Sequence, residues 1–325
     1  MKNILLTFDV EVFFGLDSGT FQGCVVENTC EILEVLLETE SKGLFFIDAT
    51  HIWFANANDQ KQVLDGYMNI IKKILADGHD IGLHLHPHWL DAIAVDDHYT
   101  FKNLNNYSCG QFAMHQSLKL TEISKFFLAF VSAADPAYKV KSFRAGGYCT
   151  QPNSLLLSML KKLNIFVDLS VVPKMKTARI PFNFDYTSVS GSSPYRFSSD
   201  VCVQDLSGEF LEIPAYTYRL SSLRRIYEKL ARKVTPGYAL FHFGQGLAFA
   251  GSLFDRLKPV HKVLTSDDCS LQQFDYAISR SSEKFYTVVN HPKLLSKQAR
   301  SNLEKVCLKH RTISIDQVLV DLALK

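Results

Sequence analysis

Long apolar runs are absent from this sequence: nothing in it approaches the roughly 18 consecutive apolar residues of a membrane-spanning helix. Met1-Lys2-Asn3 leads straight into a strand-like run too short for the core of a secretory leader, so a cytoplasmic location is expected. Paired cysteine motifs are missing too. The seven cysteines, Cys24, Cys30, Cys109, Cys149, Cys202, Cys269 and Cys307, are an odd number without CxxC spacing, in a chain too long to need disulfide staples, and they read as reduced thiols. Strong charge of either sign is lacking as well. With 35 basic and 33 acidic residues the net charge is +2, which gives no field to draw the chain to nucleic acid or to an anionic bilayer, so a neutral or small partner is expected. No repeat or low-complexity linker divides the 325 residues, which predicts one domain over 1–325 with a C-terminal helical segment over about 296–325.

What is present is a large core-forming fraction, 47% hydrophobic and 12% aromatic. Short apolar runs alternate with longer amphipathic ones, the pattern of βα units. Strands are expected at 4–8, 43–47, 81–84, 141–144, 165–169, 210–213, 238–243 and 286–289. Helices are expected at 27–40, 60–77, 115–134, 154–163, 223–233 and 271–281, with 301–324 helical in pieces. Pro152 at the start of one helix and Gly78 at the end of another agree with this spacing. The polar stretches 96–109 and 186–200 read as loops, either substrate-facing insertions or solvated connections. The length suits a single α/β barrel.

Two clusters carry chemistry. His84-Leu85-His86-Pro87-His88-Trp89 puts three imidazoles at alternate positions after an apolar run, a density that points to a metal site more than to a solvated loop. Thr7-Phe8-Asp9-Val10-Glu11 adds two carboxylates at alternate positions of a strand, where they share a face. Asp9 and Glu11, His84 to His88, Arg144, Asp168 and His291 all fall at the C-terminal ends of expected strands, the end at which βα loops converge on active sites in parallel barrels. Each has a blander reading: Asp9 as a turn former, Arg144 as a surface ion pair, Asp168 as structural, Phe13-Phe14 and Trp89 as aromatic core.

In this order the residues resemble the polysaccharide deacetylases with a NodB-homology domain. Thr7-Phe8-Asp9-Val10-Glu11 resembles the opening acid motif in its acid-x-acid form, and His84 to His88 resembles the His-x-x-x-His motif. Arg144-Ala145-Gly146-Gly147-Tyr148 resembles the Arg-x-Pro segment without its proline; Val167-Asp168-Leu169-Ser170 and Asn290-His291-Pro292 resemble the last two motifs. The resemblance implies a distorted (β/α) barrel with about seven strands. It implies one divalent metal, zinc by preference, on Glu11, His84 and His88, with Asp9 as general base, Arg144 holding Asp9, His291 as general acid, and Asp168 orienting His291 or Arg144. His86, Trp89 and Tyr148 would contact substrate or support the ligands. The implied activity is removal of an N-acyl group, acetyl foremost, from an amino sugar in envelope polysaccharide metabolism. The partner would be a small amino-sugar compound, a lipid-linked sugar or an oligosaccharide. Deformylation or other amide hydrolysis, and a carbohydrate-binding domain without turnover, are the alternatives.

Overall fold

Asn3–Val10 is a strand buried at every residue but its first, so burial is continuous along it instead of alternating, as in a strand covered on both faces. The computed structural model describes residues 1–102, 106, 108–179, 182–238, 244–246, 258–267 and 269–323, and they fall into two compact units. The first unit comprises 1–44 and 215–325, the second 45–214.

In the first unit Asn3–Val10 pairs in parallel with Phe285–Asn290, in the register Asn3↔Phe285 to Phe8↔Asn290, and with Arg311–Thr312. That register brings Asp9 and His291, each one residue past the last pair, to the same level. Thr7 reinforces it by donating through Oγ1 to the Val288 carbonyl at 2.8 Å. The helices Asn28–Glu38 and Lys297–Lys309 pack together, and an antiparallel pair, Thr217–Leu220 with Val260–Val263, leads into the helix Leu271–Ser279.

The second unit carries strands in the order Tyr195–Phe197, Phe210–Glu212, Val167–Asp168, Ser142–Ala145, Asp80–Leu85 and Leu44–Asp48. The middle four run parallel and the first is antiparallel to its neighbour. The register pairs His84 with Arg144, Phe143 with Asp168, and Asp168 with Glu212. The helix Lys61–Ala76 stops where Gly78 takes a φ of 70°, and the His79 N–H returns to the Ile74 carbonyl.

The expected α/β alternation is therefore present, with local differences. The helix expected from 115 begins at Cys109, where Ser108 caps it by accepting from the Gln111 N–H, and it departs from helical geometry at Gln116. The stretch 96–109 contains His98–Phe101, paired with Ala92–Val95, and 186–200 contains the strand Tyr195–Phe197. Ala49–Ala57 is a helix that lacks a one-sided apolar stripe, so periodicity does not mark it. The strand expected at 238–243 lies, from residue 239 on, outside the described residues. All seven cysteines are free thiols.

Candidate functional site

The first unit assembles an acid and base group at the ends of its paired strands. His291 Nε2 lies 3.8 Å from Asp9 Oδ2 and 3.9 Å from Glu11 Oε1, and His291 Nδ1 lies 3.6 Å from Asp267 Oδ2. Asp267 also accepts from the His291 backbone N–H at 2.7 Å, which fixes the strand end against the Thr265–Asp267 turn. Asn290 holds that turn by accepting from the Ser266 N–H and hydroxyl at 2.8 and 2.9 Å. Burial disfavours a charged imidazole at 291. The hydrogen bond to Asp267 and the negative charges of Asp9, Asp267 and Glu11 outweigh it, so His291 titrates above its ordinary value. Glu11 is balanced by Lys293, whose ammonium donates to Oε1 at 2.6 Å and to the Val12 carbonyl at 3.0 Å, under the rings of Phe13 and Phe14. Removing one partner of such a buried pair costs about 3–5 kcal/mol.

The second unit holds the imidazoles. His84 Nδ1 lies 2.7 Å from the Arg144 carbonyl, and His86 Nδ1 lies 3.1 Å from Asp48 Oδ2. A carbonyl can only accept, so His84 carries its proton on Nδ1. The carboxylate favours the same tautomer at His86, and each ring then presents Nε2 as a lone-pair donor. The two rings stand nearly perpendicular with centroids 4.5 Å apart, and their ligand atoms come within 4.8 Å of one another. His88 follows at 5.2 Å from the His86 ring and packs edge-on against Phe101.

Asp48 organises this half. Its Oδ2 also accepts from Trp89 Nε1 at 2.7 Å, and its Oδ1 caps the Ala49–Ala57 helix by accepting from the Thr50 and His51 N–H groups. Trp89 is fully buried and stacked on His51 at 3.9 Å, so its ring is core packing; His51, held at about 3 by burial, is neutral. Gly146 explains the missing proline of the Arg144 segment: a Cβ there would stand 2.2 Å from His86 Cδ2 and 2.5 Å from Nε2. Proline carries that Cβ, and glycine does not.

Arg144 is fully buried. It donates through Nε to the Leu169 carbonyl at 3.0 Å and lies 4.3 Å over the Phe46 ring. Its charge is felt by two buried acids. Burial pushes Asp168 up to about 7, against the pull of Arg144 and of the Ser170 N–H and hydroxyl that Oδ1 accepts. Glu212, buried and facing the charge of Asp168, is raised well above the carboxylate range; its Oε1 accepts from the Val171 N–H. Tyr148 sits at a φ of 63° and gives its carbonyl to the Tyr186 hydroxyl at 2.6 Å.

Of the residues expected from sequence, Asp9, Glu11 and His291 thus stand together in the first unit, and His84, His86, His88, Trp89, Arg144, Asp168 and Tyr148 in the second. Sequence reasoning did not single out Asp48, Glu212, Asp267 or Lys293. Asp48 and Glu212 were visible as strand-end acids, and Lys293 as the cation two residues after His291.

No family model matches the chain, and no curated protein matches it in sequence. Its structure is similar to that of a Mycobacterium smegmatis protein assigned to the polysaccharide deacetylases, with 12% identity over 97% of this chain and 88% of that one and a TM-score of 0.51. It is also similar to a 4-alpha-glucanotransferase from Thermococcus litoralis, with 10% identity over 98% of this chain but 40% of that one, again at 0.51. A family 4 carbohydrate esterase from Streptomyces lividans in complex with acetate aligns at 10% identity over 94% and 86% of the two chains, at 0.42. At these identities the likeness is one of fold, and that fold is the α/β, distorted (β/α) barrel class.

Proposed function

We propose that this protein is a metal-dependent hydrolase that removes an N-acyl group, acetyl foremost, from an amino sugar. The observation that carries the reading is the pair His84 and His86, each with Nδ1 held by a carbonyl or carboxylate so that Nε2 is left as the lone-pair donor. Outer partners of this kind orient metal-binding histidines and make them more basic. The donors fit a divalent ion of the zinc class: two buried imidazoles of the second unit, each offering one ligand nitrogen. In this reading His84 and His86 would hold the ion together with a carboxylate, the part that the resemblance gives to Glu11. His86 replaces His88 because its ring, not that of His88, bears the Asp48 anchor. When bound, the ion supplies Lewis-acid chemistry, acidifying a water and polarising an acyl carbonyl.

The remaining steps belong to the chain. Asp9, in the acidic group beside His291, takes the proton of the attacking water. His291 is kept protonated by Asp267, Asp9 and Glu11, and it delivers a proton from Nε2 to the departing amine, which is a poor leaving group without one. Asp267 orients His291, a role the resemblance had offered to Asp168. The Mycobacterium smegmatis protein's assignment as a polysaccharide deacetylase supports a sugar-bearing substrate.

The test is metal analysis of the purified protein followed by acetate release from a panel of N-acetylated amino sugars, with formyl and other acyl analogues alongside. Stoichiometric metal that His86→Ala removes, together with acetate release, is expected. Metal retained in His86→Ala and lost in His88→Ala would return the ligand role to His88. Metal-free protein, or bound metal without release of any acyl group, would exclude the hydrolase reading.

A further inference from the structure

The helix Ser222–Val234 is packed with its polar side toward the protein. Glu228 is buried and accepts from the Ser270 N–H and hydroxyl at 2.5 and 2.8 Å. Arg224 lies 3.3 Å over the Tyr276 ring, and Arg225 donates to the Lys258 carbonyl at 2.5 Å. The apolar side chains lie on the other face: Leu223, Ile226, Leu230 and Val234 are exposed at 81, 44, 57 and 79%, and Tyr227, at 55%, borders them while its hydroxyl donates to Gln272 Oε1 at 3.3 Å. Their spacing makes one continuous stripe along the helix. A surface helix of a globular protein buries such a stripe, because leaving it in water forgoes about 25 cal/mol for each Å² of apolar area. Rimmed by charge, it marks an interaction surface.

Charge decides what the surface fits. The 13-residue helix holds Arg224, Arg225, Lys229, Arg232 and Lys233 against the single acid Glu228, in a chain whose total is only +2. The near-neutral total therefore hides a concentrated basic element. Lys229 and Lys233 are exposed beside the stripe. A second copy would bring two such helices into mutual repulsion, whereas an anionic surface with an apolar interior matches both features. Among the described residues no helix is long and apolar enough to cross a membrane.

We propose that Ser222–Val234 is an interfacial helix that lays its apolar stripe into the headgroup–acyl boundary of an anionic bilayer, with Lys229 and Lys233 on the lipid headgroups. The docking does not depend on the catalytic reading.

Sedimentation of the full chain with vesicles of phosphatidylcholine, with and without phosphatidylglycerol, tests this. Binding should require phosphatidylglycerol and fall with added salt. At the general magnitude for one basic residue near such a surface, Lys229→Gln with Lys233→Gln should weaken partitioning about 30-fold. Ile226→Glu with Leu230→Glu should abolish it. Both variants change exposed side chains, so their melting temperatures should match the parent. Absent binding, equal binding to both vesicle types, or unchanged binding of either variant would overturn the proposal. So would a concentration-dependent dimer that Ile226→Glu with Leu230→Glu dissociates, since a second copy would then cover the stripe.

Discussion

An imidazole held within 4 Å of three carboxylates is the main electrostatic feature at the residue scale. It separates two roles that a single acid could not fill. Asp9→Asn should keep near-native metal content while turnover falls by about 10²–10⁴-fold, the contribution of a positioned base. Metal analysis beside acetate release checks it, and joint loss of metal and activity would make Asp9 a ligand. The raised titration of His291 has a definite sign: its acid form persists to higher pH than a free imidazole allows, and the rate falls as pH rises through the folded value. Asp267→Asn removes the principal raising interaction, so the alkaline limb of the kcat/KM profile should move to lower pH; an unmoved limb would take His291 out of the acid role. Asp9, Glu11 and His291 were legible because strand alternation and strand ends reveal them. Lys293 was visible only as a cation near His291; its contact with Glu11, 282 positions away, is encoded by no local pattern.

At the scale of elements, Asp48 ties a helix start to a metal-capable histidine. One oxygen serves the Ala49–Ala57 cap and the other serves His86 and Trp89. Asp48→Asn keeps only one acceptor, so metal affinity should drop about 10–100-fold, as for other lost outer partners. The weakened cap should cost at most about 2 kcal/mol of stability. Competition with a chelator and a melting curve measure the two effects, and unchanged affinity would remove His86 from the ligand set. The parallel strands were read from sequence nearly to their ends, because buried apolar runs bounded by polar residues leave a clear local signal. Ala49–Ala57 was not, since a helix apolar on most sides has no stripe. The register of His86 against Gly146 was also invisible: it depends on a ring and a backbone sixty positions apart in sequence.

The whole molecule carries a pH dependence from the buried acids of the second unit. Asp168, pushed up to about 7 by burial, and Glu212, raised well above its ordinary value by burial, retain protons in the fold that the unfolded chain releases near pH 4. The contribution of Asp168 to stability is present below its unfolded value and is lost as pH rises through about 7. Asp168→Asn cannot ionise, so its melting temperature relative to the parent should climb as pH rises across that window; a difference that stays constant with pH would show that Asp168 does not titrate there.

The division of the chain has a consequence for biosynthesis. The second unit is one uninterrupted stretch, 45–214, whereas the first is built from 1–44 and 215–325. Within the first unit the opening strand pairs with Phe285–Asn290 and Arg311–Thr312, both from the far end of the sequence. A ribosome therefore delivers every residue around His84 and His86 long before it delivers His291, Lys293 or Asp267. The imidazole half can settle during synthesis, while Asp9 and Glu11, made early, meet His291, Lys293 and Asp267 only after nearly the whole chain has emerged.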